Sequence, residues 1–202
     1  MTSKLPARSP PVRRSDRHHR RVALPGTARL LRPLSRPLAQ PEQGSLCRGL
    51  ARKRGLVRSI GVCNFLPVHL GKIIQETGVT PAINQVEVHP YFPQAEQRAW
   101  DKARGIVTQA WSPLGRANLL LQDPAIKAVA DRLDKTIPQV ILRWHIQLGA
   151  IPLPKAVSEA RQIENLSVFE FELPPGDMDA IATFARPDGR TFDQDPARYE
   201  EF

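Results

Sequence analysis
One design recurs four times along this chain. A short apolar run ends in polar or ring-bearing residues, and in most cases a helical pattern follows. The first copy is Arg58-Ser59-Ile60-Gly61-Val62-Cys63-Asn64-Phe65. The next are Asn84-Gln85-Val86-Glu87-Val88-His89-Pro90, Gln109-Ala110-Trp111-Ser112-Pro113-Leu114-Gly115 and Ile151-Pro152-Leu153-Pro154-Lys155. Buried strands alternating with helices, with hydrogen-bonding groups at the strand ends, restrict the chain to a parallel α/β layer. A ligand of such a layer lies at the carboxyl edge of the strands.

The intervening patterns place the helices. Pro67–Glu76 puts Leu70, Ile73 and Ile74 on one face, and Gln94–Arg104 is a helix that opens without an evident cap. Asp123-Pro124 is a good N-cap and first-turn pair for a helix burying Ile126, Val129, Ala130 and Leu133. Thr136 caps a helix with Val140, Ile141, Trp144 and Leu148 on one stripe, ending at Gly149. Glu159–Asn165 and Asp177–Phe184 read as the last two helices. The strands are expected over Arg58–Val62, Ala82–Val88, Ile106–Trp111 and Ala150–Pro154. Four strands in this span are half of an eight-stranded (β/α) barrel, a fold that takes about 250 residues.

The net charge of +9 suggests a nucleic-acid binder until it is located. Residues 1–54 hold 14 basic residues against Asp16 and Glu42, whereas residues 55–202 are weakly acidic. Residues 5–54 scatter seven prolines among the arginines with no period of 2 or 3.6, which predicts a disordered or poorly packed Arg/Pro-rich segment. A basic arm that binds nucleic acid is the functional alternative for this segment. It contains no Phe, Tyr or Trp on which bases would stack. Cys47 and Cys63 form no disulfide framework and no zinc spacing, and no metal site is expected. No apolar run reaches the length of a membrane helix and none resembles a signal peptide. The expectation is a cytoplasmic protein with a domain over 55–202.

The motifs from Gly55 to Phe171 resemble the C-terminal half of the aldo-keto reductases, a family of (β/α)8 TIM barrels. They are Arg58–Phe65, Asn84-Gln85-Val86-Glu87-Val88-His89-Pro90-Tyr91, Ala110-Trp111-Ser112-Pro113-Leu114-Gly115, Ile151–Lys155, and Arg161 followed by Glu164-Asn165-Leu166 and Val168-Phe169-Glu170-Phe171. Trp111, where many members have Tyr, makes the bacterial diketogluconate reductase branch the nearest. On this reading the chain carries strands five to eight of the barrel. Thr2-Ser3-Lys4-Leu5 is similar to the end of the family's third strand, so Lys4 would be the catalytic lysine. The histidine motif expected after it is missing. Residues 6–50 then read as out-of-frame text between two in-frame pieces.

The resemblance implies NADPH-dependent reduction of a small carbonyl compound, with no role for nucleic acid or membrane. Reduction needs a hydride donor beside the carbonyl carbon and an acid beside its oxygen. The family's acid is a tyrosine, and neither Tyr91 nor Tyr199 matches its place, so the chain is expected to be an inactive fragment. The cofactor side is better represented. The resemblance assigns Asn64 and Gln85 to the nicotinamide carboxamide, with Cys63 in place of a serine, and Trp111 to the nicotinamide ring. It assigns Ser112 and Leu114 to the pyrophosphate, Lys155 and Arg161 to the 2′-phosphate, and Glu164 and Asn165 to the adenine. Ala156 and Ser158 depart from the family's serine and arginine.

Each residue has a plainer reading. Trp111 alone reads as a core aromatic, Asn64 and Gln85 as partners of backbone groups, and Lys155 and Arg161 as solvated charges. His89 and His145 read as structural. A non-catalytic nucleotide-binding module is the remaining alternative for the domain.

Overall fold
The computed structural model describes residue 49 and residues 51–115, 119–191 and 195–197. Lys4, the Arg/Pro-rich segment before Gly49 and the out-of-frame reading lie outside the described residues. The strands are β1 (Gly61–Cys63), β2 (Ile83–Glu87), β3 (Val107–Trp111) and β4 (Ile151–Pro152). They pair in sequence order, all parallel, with Cys63, Gln85, Gln109 and Ile151 at one level across the sheet. The helices are α1 (Pro67–Thr77), α2 (Ala95–Lys102), α3 (Pro124–Arg132), α4 (Ile137–Gln147), α5 (Glu159–Leu166) and α6 (Pro175–Ala182).

The outer strands are shorter than their apolar runs. The ladder between the first two begins where Ala82 N–H donates to Ile60 C=O, directly after Pro81. At the other side Leu153 N–H donates to Ala110 C=O, so Pro152 and Pro154 occupy the alternate positions facing away from β3. That edge lacks two of its donors, a common protection for an edge strand.

The helices cover one face of the sheet, and the core lies between. Val86, Ala110, Ile126, Val129, Val140, Ile141, Trp144 and Ile181 form its main part. Val62, Phe65, Leu70, Ile73 and Ile106 form a smaller cluster beneath α1. On the other face Val107, Ile151 and Leu153 are exposed. Period-2 alternation makes this division, since Thr108 and Ala110 point into the helices and Val107, Gln109 and Trp111 point away.

Local signals act as the sequence indicates at α3 and α4. The Asp123 carboxylate accepts from Ala125 and Ile126 N–H, and Thr136 and Gln139 form a capping box. Helix α2 opens at Gln94 with no side-chain cap, and Gln94 Nε2 instead donates to Glu87 C=O at 2.5 Å. Helix α1 opens with His69 Nδ1 accepting Leu66 N–H at 3.3 Å, a function usually given to Glu or Gln.

A buried polar hub ties the sheet to α2. The Asp101 carboxylate accepts from Gln97 Nε2 at 2.9 Å, Asn84 Nδ2 at 3.3 Å and Thr108 Oγ1 at 3.2 Å. Asn84 Nδ2 also donates to Phe65 C=O at 2.9 Å, and its Oδ1 accepts Phe65 N–H at 3.4 Å. The hub thus fixes the turn that follows β1, where the candidate site begins.

Candidate functional site
The carboxyl ends of the first three strands bring four sequence-selected side chains together. Trp111 Nε1 donates to Asn64 Oδ1 at 2.8 Å. Since β2 lies between their strands, this bond crosses it. One level below, Gln85 Nε2 donates to Gln109 Oε1 at 2.8 Å, and Cys63 Sγ faces Gln85 Oε1 at 3.8 Å. Asn64, Gln85, Gln109 and Trp111 are half-buried and Cys63 is exposed. A planar indole with its N–H engaged thus neighbours a pair of amides, on the face that no described helix covers.

Backbone conformation places the upper pair. Asn64 has φ 58° and Ser112 has φ 48°, both in the left-handed region that costs a side-chain-bearing residue energy. Asn is among the residues that tolerate it best. Asn64 N–H continues the ladder to Gln85 C=O at 2.8 Å. After Ser112 the chain turns sharply, Gly115 N–H donating to Ser112 C=O at 2.9 Å with Gly115 at φ 63°. Leu114 packs its side chain on the main core.

The α5 residues form a separate group. Lys155 and Arg161 are exposed and make no ion pair among the described residues. Ser158 caps α5, its Oγ accepting Arg161 N–H at 3.4 Å. Glu164 Oε1 accepts from Thr136 Oγ1 at 2.5 Å, so one adenine-side candidate is engaged with the start of α4. Asn165 is half-buried, and no side-chain hydrogen bond joins this group to the strand-end group among the described residues.

Two residues were missed by the sequence reading. Gln109 is the direct partner of Gln85, and period 2 alone puts it on the Trp111 face. Asn84 was read only as part of a motif, and its burial against Asp101 carries no local signal.

His145, His89, Glu87 and Tyr91 have partners within the fold. His145 lies fully buried between Val88 C=O and Ile141 C=O, at 2.9 and 2.8 Å. Burial lowers its pKa to about 4 against the pull of those two carbonyls; in the neutral form its single N–H serves only one of them. His89 and Glu87 are also buried, 3.1 Å apart. Tyr91 donates to Asp123 Oδ2 at 3.0 Å beneath the Arg186 guanidinium. Burial and then the Asp123 carboxylate push its pKa up, opposite to what an acid catalyst needs. A cavity of about 540 Å³ beside Tyr91 is bounded by Leu119, Asp123, Phe184 and Arg186, away from the amide row. Among the described residues no cluster of His, Cys, Asp or Glu could hold a metal ion, and no helix is long and apolar enough to cross a membrane.

A one-sided parallel sheet with its planar and amide groups at the strand ends defines an α/β protein of the strand-end ligand class. The sequence profile of the Aldo/keto reductase family matches residues 45–186, and the chain belongs to that family. It is 51% identical over 151 residues to 2,5-diketo-D-gluconic acid reductase B of Corynebacterium sp. (strain SHS752001), covering 75% of this chain and 54% of the relative. It is 40% identical over 149 residues to methylglyoxal reductase DkgA of Escherichia coli (strain K12), covering 73% and 54%. Among solved structures, a variant of Gox0644 in complex with NADPH superposes with a TM-score of 0.74 at 40% identity, covering 82% of this chain and 61% of that one. An aldo/keto reductase from Brucella melitensis gives 0.62 at 45% identity, covering 67% and 51%. The chain spans about half the length of the curated relatives it matches.

Proposed function
We propose that this chain is the nucleotide-binding half of an NADPH-dependent carbonyl reductase, carrying strands five to eight of a (β/α)8 barrel. The observation that supports this most is the Trp111 indole, half-exposed and fixed by Asn64, two residues along β3 from Gln109, the partner of the Gln85 amide. A ring and an amide so arranged suit a flat heteroaromatic ring bearing a carboxamide. The NADPH complex of the Gox0644 variant supports the same cofactor. When bound, NADPH supplies the hydride that reduces a carbonyl carbon.

The residues divide the work. Trp111 stacks on the nicotinamide, and Asn64 and Gln85 bond its carboxamide. Ser112 and the Leu114 backbone meet the pyrophosphate. Lys155 and Arg161 neutralise the 2′-phosphate, and Glu164 and Asn165 line the adenine. Two exposed cations without carboxylate partners among the described residues fit a phosphate. The substrate class is a small aldehyde, ketone or keto-sugar acid.

Turnover by this chain is expected to be small or nil. Lys4 is its only catalytic candidate, and Tyr91 is committed to Asp123. Titrating the full chain with NADPH while following tryptophan fluorescence tests the reading. Saturable quenching that disappears in Trp111→Ala is expected. Quenching that persists unchanged in that variant, or none in the wild type, rejects it.

A further inference from the structure
The Gln85 amide could lie either way round, and its neighbours choose. Cys63, Gln85 and Gln109 stand at one level on β1, β2 and β3. Gln85 Nε2 donates to Gln109 Oε1 at 2.8 Å, and Gln85 Oε1 faces the Cys63 thiol at 3.8 Å. Turning Gln85 alone would set two carbonyl oxygens against each other. Turning both amides would ask the Cys63 sulfur, only a weak acceptor, to take Gln85 Nε2. A thiol is a weak donor, so the amide–amide bond is the one that holds the arrangement.

We propose that Gln109 is a positioning residue for the nucleotide site. It fixes the direction of the Gln85 carbonyl and of its second N–H. The site therefore distinguishes a ring bearing a carboxamide from one whose substituent lacks the amino group. This rests on the NADPH reading above. Gln109 itself touches no ligand in this account; it acts through Gln85.

Two readouts on the full chain test it. One is the hydrogen-exchange protection of the Gln85 side-chain amide, followed by NMR without nucleotide. The other is the ratio of dissociation constants for NADPH and its 3-acetylpyridine analogue, in which methyl replaces the amino group. The wild type should favour NADPH by about fivefold, the size of one net hydrogen bond. Gln109→Glu keeps the acceptor and should keep both the ratio and the protection. Gln109→Met keeps the length without the acceptor; its ratio should fall to near one and the protection should be lost. Gln109→Leu replaces it if the methionine variant does not fold. A ratio and protection unchanged in the apolar variant overturn the role of Gln109 while leaving the NADPH reading intact. A wild type that binds neither nucleotide overturns the NADPH reading, and the discrimination falls with it.

Discussion

At the scale of single residues, Asn64 combines a strained backbone with a specific bond. Its φ of 58° suits glycine, and its Oδ1 holds the Trp111 indole. Asn64→Ala loses the bond and keeps a β-carbon in the left-handed region; Asn64→Gly loses only the bond. The glycine variant should be the more stable of the two by about 1 kcal/mol, measured by urea unfolding, with the alanine variant the reverse of the usual Gly/Ala order. His145 carries a pH dependence whose sign follows from its pKa of about 4. The unfolded chain binds a proton near pH 6.5 and the folded chain does not until about pH 4. The stability from keeping His145 neutral is therefore full above pH 6.5 and is lost as pH falls toward 4, in total about 3 kcal/mol. Unfolding free energies across that window should fall more steeply for the wild type than for His145→Gln.

At the scale of elements, the start of α4 holds two helices at once. Thr136 Oγ1 accepts Gln139 N–H at 3.3 Å and donates to Glu164 Oε1 at 2.5 Å. Helix α5 buries none of its residues, so this bond and the one from Gln139 Nε2 to Glu164 C=O tether it. Thr136→Ala should cost about 1 kcal/mol as a lost cap. It should also speed amide exchange in α5, whereas Thr136→Ser restores both. Unchanged α5 exchange in the alanine variant would show the tether to be idle. Most of this level was legible in advance. Asp123-Pro124 and Thr136 with Gln139 are chemistry within one turn, so sequence spacing suffices. Helix α4 was only half-read: its stripe was expected to be narrow, yet Leu142, Arg143 and His145 are buried too. What packs on the far side of a helix is not written in its own period.

At the scale of the molecule, the C-terminal segment is strapped across the turn after β2. Arg186 stacks on Tyr91 at 3.5 Å and Arg190 on Phe92 at 4.6 Å. Thr191 N–H donates to Glu87 Oε1 at 2.8 Å. Gly189 passes so close that a β-carbon there would sit 1.9 Å from Tyr91 C=O. Gly189→Ala should therefore displace the strap and destabilise the fold by roughly 1–3 kcal/mol, as overpacking does. Chemical denaturation would measure it, and a change below a few tenths would show the strap to be loose. The sequence patterns end with the helix expected over Asp177–Phe184 and show nothing of this strap, since its contacts join segments about a hundred residues apart.

The sequence by itself determined the class of fold, the order of strands and helices, and the strand-end residues proposed to face a ligand. Those follow from periods of 2 and 3.6, caps within one turn and motifs of a few residues. The tertiary structure alone decided how those residues are held. Asn64 meets Trp111 across an intervening strand, and Gln109 meets Gln85 through parallel register. Asn84 meets Asp101 in the buried hub, and the prolines of β4 blunt its edge. Each of these depends on which residues from distant segments stand at the same level, a relation set by packing and register rather than by any local pattern.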